Sequence, residues 1–462
     1  MKAGLRTRRA AEFARTVRWK DLPADVRHQA IRCTLDLCGA AVAGSRTKAA
    51  QSAATYALYA HGNGPGTIIG TGASSTAVGA ALANGFATSA LDIDDGYRPV
   101  KGHPGAVVFP AVLAAAEEAR SSGVEFLSAL VVGYEVAMRA GRILHSLYDA
   151  YHGSGAWAPI GAAAGVARLL GCNAEQVWHA LGIAEFHAAM APEMRSVEHP
   201  SMLKDGIGWG AMVGIASGHL AAHGFTGIPA LFDAGSSGPH LTESLGEEYL
   251  ILDLYFKLHA CCRWAQPAIE GALSATRQIG ATATDVAKVR VHTFEAATHL
   301  RCAAPRTTEE AQFSLPWSIS CALIDGVVGP EQVTGESLTD PTRRELAARV
   351  QVVVDTELDK VFPDQALAWV EVETKEGSRA HSKVSAAPGE AGTPLSDEEL
   401  TKKFRNLIEP VLGSGHANEL ASAIRGLPAS PDLNEVTGLL RPTASTTARR
   451  TQSSFERPSS AT

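Results

Sequence analysis

The stretch from Ser89 to Gly105 constrains this chain more than any other. Asp92, Asp94, Asp95, Tyr97, Arg98, Lys101 and His103 fall within it. Gly96, Pro99, Gly102, Pro104 and Gly105 interrupt any regular element there, which predicts a loop. Apolar, small-residue segments flank it, 75–90 before and 106–119 after, and both carry a helical pattern. Crowded carboxylates at the end of an apolar helix are costly without partners. A titratable loop held between two such helices is also where a rigid scaffold displays its chemistry.

Helical pattern covers 10–17, 23–44, 49–60, 123–146, 155–170, 174–187 and 204–223, with a short extended piece at 67–70. The pattern then changes. Segments 286–294 and 349–355 are rich in β-branched residues and alternate. Segments 368–374 and 382–386 form a predicted hairpin around Glu376 and Gly377, and 312–326 is helical. Helical pattern returns over 396–412 and 417–426. From Arg441 the Thr/Ser/Arg-rich tail has no apolar periodicity, which predicts disorder.

At 462 residues the chain predicts more than one domain. The expected fold is mainly α with an α+β second domain. A large all-helical domain is built from both chain ends, 1–268 and 393–440. A smaller α+β lid, 269–392, lies between them, and 441–462 is the tail. The net charge of −7 gives no basis for nucleic-acid binding. Seven cysteines at irregular spacing, with no Cys-x-x-Cys pair, suggest neither a disulfide framework nor a zinc site. No run is long and apolar enough to span a membrane, and a reducing cytoplasm is the expected setting.

Several segments beyond the loop concentrate chemistry. His103 stands at the start of an apolar helix, where an imidazole can act as a general acid or base. His152, amid glycines before the next helix, can approach an anion closely or simply begin that helix. Lys204 precedes an apolar helix, the unfavourable end for a cation. That implies an anionic partner, either a distant group or its neighbour Asp205. Lys257, His259, Cys261, Cys262 and Arg263 lie within seven residues at the domain boundary. Lys257 and Arg263 can bind carboxylates or form a salt bridge between domains.

Taken together, these segments resemble the MmgE/PrpD family, which includes 2-methylcitrate dehydratase, cis-aconitate decarboxylase and iminodisuccinate epimerase. The Asp92-x-Asp94-Asp95 … His103-Pro104-Gly105-Ala106 loop carries the likeness. So do Met202-Leu203-Lys204-Asp205-Gly206, Lys257 … Cys261-Cys262-Arg263, and Ala311-Gln312-Phe313-Ser314-Leu315-Pro316. The resemblance spans roughly residues 10 to 430. It implies a homodimeric enzyme that needs no metal or organic cofactor and acts on a small polycarboxylate. Lyase chemistry (dehydration or decarboxylation) ranks first, epimerisation second, and a non-catalytic dicarboxylate-binding paralogue third. Carried over residue by residue, the catalytic set is Asp92 or Asp94, His103, His152, Lys204 and Lys257. Tyr97, His259, Cys262, Arg263 and Trp317 are expected to bind substrate. The chain departs from the family pattern at Cys262, where the decarboxylases place a histidine, and at Trp317, where tyrosine is usual.

Overall fold

The computed structural model describes residues 4–234 and 238–442. The tail from 443 onward, where disorder is expected, lies outside the described residues.

The fold is mainly α with a minor α+β part. Four helices form the centre of the helical part: Ala77–Ser89, Pro104–Glu118, Ala158–Leu169 and Ile207–Ala222. Their small residues let backbones meet. A Cβ on Gly85 would stand 2.8 Å from Gly208 Cα, and one on Gly161 would overlap the Gly133 carbonyl oxygen at 2.1 Å. Any larger side chain at these two crossings would force the helices apart. The long helices Ala24–Gly44 and Gly123–Leu147 wrap this centre.

The chain ends meet in the same body. Helix Asp397–Leu412 starts at a capping box between Ser396 and Glu399 and lies against Ala24–Gly44. The buried Lys403 ammonium bonds the Asp36 carboxylate at 2.5 Å and the Ile93 carbonyl at 2.6 Å. The C-terminal return is thereby tied both to the first long helix and to the Asp-rich loop. A further helix, Asn434–Leu439, extends the return beyond the two segments the sequence predicts.

The second part is built on a four-stranded sheet. Strand Val286–Thr293 is central, with Val350–Val354 parallel on one side and Ala368–Thr374 antiparallel on the other. Ala368–Thr374 alternates buried and half-exposed residues, as a strand covered on one face must. Helix Gln266–Gln278 covers that face. The hairpin turns as expected, but its second strand is Arg379–His381 rather than 382–386. Beyond His381 only a single bridge, Ala368 to Ser385, continues the pairing. Ser382 still donates its amide to the Val370 carbonyl at 2.9 Å, while its hydroxyl accepts from the Val370 amide at 3.0 Å.

Two apolar cores result. One gathers the helical body with Leu395–Leu440, and the other gathers the sheet with helices Gln266–Gln278 and Leu315–Asp325. Ala40, Ala43, Leu91 and Ile93 of the helical body belong to the second core. The Asp-rich loop therefore starts where the two cores touch. We propose the division into 1–268 with 393–440, and 269–392, on this basis. No described helix is long and apolar enough to cross a membrane.

Candidate active site

Backbone bonds set the Asp-rich loop before any side chain acts. The Asp92 amide donates to Ser89, and the Gly96 and Tyr255 backbones bond each other at 3.0 and 2.9 Å. Asp95 turns inward. Its carboxylate accepts from the Tyr134 hydroxyl and, at 3.2 Å, from the Gly105 amide, which caps helix Pro104–Glu118. Burial, reinforced by Asp36, pushes the Asp95 carboxyl up to about 7, although Tyr134 opposes the shift. Asp95 is thus a structural group. It holds the helix end that carries His103.

The His103 ring is clamped. Its amide donates to Ser154 Oγ at 2.9 Å, and Nδ1 donates to the Asp95 carbonyl at 2.7 Å. Asp94 Oδ2 lies 3.2 Å from the same nitrogen, and Asp92 Oδ1 lies 3.7 Å from Nε2. Bonding at Nδ1 fixes the ring's orientation and leaves Nε2 toward the cleft. Burial and Lys257 press the imidazole toward its neutral form. Asp94 and Asp92 outweigh them, and the His103 pKa is raised.

Asp92 is the hub. Lys257, fully buried, bonds its Oδ1 at 2.9 Å and stands 4.0 Å from Asp94. Lys204 lies 3.7 Å from that same Asp92 oxygen. Burial alone would raise both carboxyls, but Lys204, Lys257 and His103 hold Asp92 below the usual range. Asp94 is held low by His103 and Lys257. Burial works against the Lys257 charge in turn, but Asp92 and Asp94 raise its pKa. Within the cluster each charge sustains the others. Lys204 and Asp205, adjacent in sequence, diverge. Lys204 turns to Asp92, so its anionic partner is the distant group and not its neighbour.

The cleft above this hub is lined by Asp92, Arg98, Lys101, His103, Tyr151 and Glu193, with Asp205, Tyr255, Cys262, Arg263, Trp264 and Phe313 closing it. Among the described residues, five besides glycine have a left-handed backbone. Asp92, Lys101 and Asp205 line the cleft, Lys204 adjoins it, and only Arg120 lies elsewhere. Strain of this kind persists where surrounding structure enforces it, as at ligand sites.

Some expected residues take other places. Arg263 faces the cleft but is bound by Glu390, 2.9 Å away, and Glu390 also accepts from Arg98. It is the salt bridge between the two parts, as one of the two sequence readings had it. Tyr97 points into the helical core, and burial raises its phenol to about 12. Trp317 is fully buried in the second core, its indole N–H on the Gln332 carbonyl at 3.0 Å. His259 pairs with Glu270 at 3.1 Å and lines a different cavity. These three are corrections: spacing along the chain could not tell which face of each segment turns to the cleft. His152 is buried one residue from the lining, its ring stacked on His145 with Nδ1 unbonded.

The cleft region holds other residues besides. Gln312 bonds Lys204 Nζ at 2.9 Å and the Ala90 carbonyl at 2.7 Å, and Phe313 lies beneath the same ammonium at 4.9 Å. The sequence marks their segment, but its family departure lies at Trp317 and not at these two residues. Lys101, Tyr151, Glu193 and Asp205 also line the cleft; the sequence marks Lys101 in the Asp-rich loop and Asp205 beside Lys204 but gives none of the four a role in the site.

Asp92, Asp94 and His103 offer three donor atoms within 4.8 Å of one another, a spacing that could hold a metal ion. The same carboxylates already carry two ammonium groups within 4.0 Å. A divalent cation would enter against both, so the geometry fits an ion-paired cluster better than a metal centre.

Sequence comparison agrees with this arrangement. Residues 8–239 match the MmgE/PrpD N-terminal domain and residues 259–428 the MmgE/PrpD C-terminal domain. A cis-aconitate decarboxylase-like protein of Aspergillus oryzae is 26% identical over 91% of this chain and 94% of its own. The cis-aconitate decarboxylase of Aspergillus terreus is 24% identical, covering 94% and 95%. The human cis-aconitate decarboxylase is 26% identical, covering 89% of each chain. With both domains matched in order, and the loop, lysine and Gln312 segments meeting at one cleft, the chain belongs to the MmgE/PrpD family.

Proposed function

We propose that this MmgE/PrpD-family lyase decarboxylates a small unsaturated tricarboxylate of the cis-aconitate kind, without a metal. The observation that carries the reading is the clamped His103, with two carboxylates beside it and Nε2 toward the cleft. With its pKa raised, the imidazole enters as the acid. The C–C bond to the departing carboxylate breaks and CO2 leaves. The electron pair stays on carbon and takes the Nε2 proton, and solvent then reprotonates the ring. Lys101 and Arg98, both in the cleft lining, would hold the remaining carboxylates.

A homodimer fits this reading. Tyr56, Phe86, Met202, Leu203 and Trp209 line an apolar hollow, with Leu203 70% exposed, the kind of surface a second copy covers. Seven unpaired cysteines accord with a cytoplasmic setting.

The test is turnover in D2O with cis-aconitate and related acids. We expect CO2 release with one solvent deuterium on the product. His103→Ala should lower kcat by roughly 10²–10⁴ with its fold intact. Alkene formation without CO2 would make the protein a dehydratase, and deuterium exchange without net reaction an epimerase. Saturable binding without chemistry would make it a binding paralogue. Each of these outcomes overturns decarboxylation.

A further inference from the structure

Two carboxyl groups in the cleft have no part in the chemistry above. Glu193 is 4% exposed and lines the cleft together with Asp205. Glu193 Oε2 and Asp205 Oδ1 are buried and accept from no donor among the described residues. The two residues are neighbours: a Cβ built on Gly153 would stand 2.7 Å from Glu193 Oε2 and 3.1 Å from Asp205 Cα. Two carboxylates so placed cannot both ionise without strong repulsion, and one proton between them relieves it.

The backbone holds the pair in place. The Glu193 amide donates to the Tyr151 carbonyl at 2.8 Å, and the Gly153 amide donates to Ala191 at 3.2 Å. A Cβ on Gly153 would stand 2.7 Å from Glu193 Oε2 and 2.9 Å from the Asp205 carbonyl oxygen, so only glycine leaves room. On the opposite side, the left-handed turn at Lys204 and Asp205 sends one side chain to Asp92 and the other to Glu193. The ionisable groups facing Glu193 are Asp205, Lys204, Asp92 and the Tyr151 phenol. Burial first and Asp205 next hold the Glu193 carboxyl well above the usual range, with Lys204 opposing.

We propose that Glu193 stays in its acid form beside Asp205 and, when substrate binds, turns its single O–H from Asp205 to a carboxylate of the substrate. This rests on the reading of the cleft as a polycarboxylate site. An ionised glutamate there would repel the substrate. A neutral one gives it a short, charge-assisted bond that Asp92, held ionised by its cations, cannot offer.

The probe is propane-1,2,3-tricarboxylate, a saturated acid without the double bond of cis-aconitate. Its Kd is measured by calorimetry from about pH 6 to 9 on the full chain and on three variants. Wild-type affinity should fall as pH rises, by up to about tenfold per unit once the pair ionises. Glu193→Gln keeps a neutral donor, so it should bind within a few-fold of wild type at the acid end and show a flatter profile. Glu193→Ala should bind about tenfold or more weakly there. Asp205→Asn should shift the loss of affinity to lower pH, because an amide donor favours ionised Glu193.

Superimposable profiles for wild type and Glu193→Gln would overturn the proposal, whether or not the alanine variant folds. Wild type that ignores the probe at every pH would overturn the cleft reading and the proposal with it. Turnover of cis-aconitate alongside unchanged Glu193→Gln profiles would overturn the proposal alone.

Discussion

Replacing Lys257 by Met removes the most buried charge of the hub and leaves the apolar stem in place. At an effective dielectric constant of about 20, the Asp92 contact at 2.9 Å is worth roughly 6 kcal/mol and the Asp94 contact at 4.0 Å roughly 4 kcal/mol, gross. The net loss is smaller. The variant can relieve itself by protonating one carboxyl, which costs about 1.4 kcal/mol per pH unit above the unfolded value near 3.9. That relief caps the destabilisation at about 5 kcal/mol at pH 7.5 and about 1.5 kcal/mol at pH 5.

The sign follows from the shifts. In wild type, Asp92 and Asp94 have lowered values, so their contribution is present above the unfolded pKa and is lost as pH falls through the folded one. In the variant, one folded value rises above the unfolded one, so stability is lost as pH rises. The gap between the two proteins must therefore widen from pH 5 to pH 7.5. Urea unfolding followed by tryptophan fluorescence at both pH values measures it. Adding Asp92→Asn to the variant should recover more than half of the loss at pH 7.5. A gap that is equal at the two pH values, or below about 1 kcal/mol at pH 7.5, would refute the account of the hub as mutually sustaining charges.

Gln312→Ala should free both Lys204 and the Ala90 carbonyl and lower kcat/KM by about tenfold, with little change in folding; an unchanged kcat/KM would remove Gln312 from the site. Glu390→Gln should release Arg98 and Arg263 toward the cleft and lower KM for a tricarboxylate several-fold, whereas a raised KM would mean that Glu390 positions the arginines productively. Activity should survive chelation and dialysis, and loss of turnover restored by one divalent ion would return Asp92, Asp94 and His103 to a metal role. Light scattering should give twice the chain mass, and Trp209→Glu in the apolar hollow should give a monomer. A dimer unaffected by that charge would place the interface elsewhere.

Read alone, the sequence was enough to find the helices and the Asp-rich loop. Apolar periodicity, glycine breaks and caps are local, and the Ala174–His187 and Ala368–Thr374 bounds follow from them directly. The pairing of an acidic loop with later lysines was also legible, since buried carboxylates require cations and the chain offers few concentrated groups of them. Direction was not legible. Tyr97, His259 and Trp317 sit in the right segments and face away from the cleft, because one residue of phase, along a loop for the first two and along helix Leu315–Asp325 for Trp317, turns a side chain elsewhere. Arg263 reaches the cleft, but Glu390, 127 residues later, takes its charge. The Glu193–Asp205 pair left no mark in the sequence at all. It exists because the 151–153 and 204–206 turns are pressed together by helices whose small residues allow that approach, and only tertiary packing brings two such turns into contact.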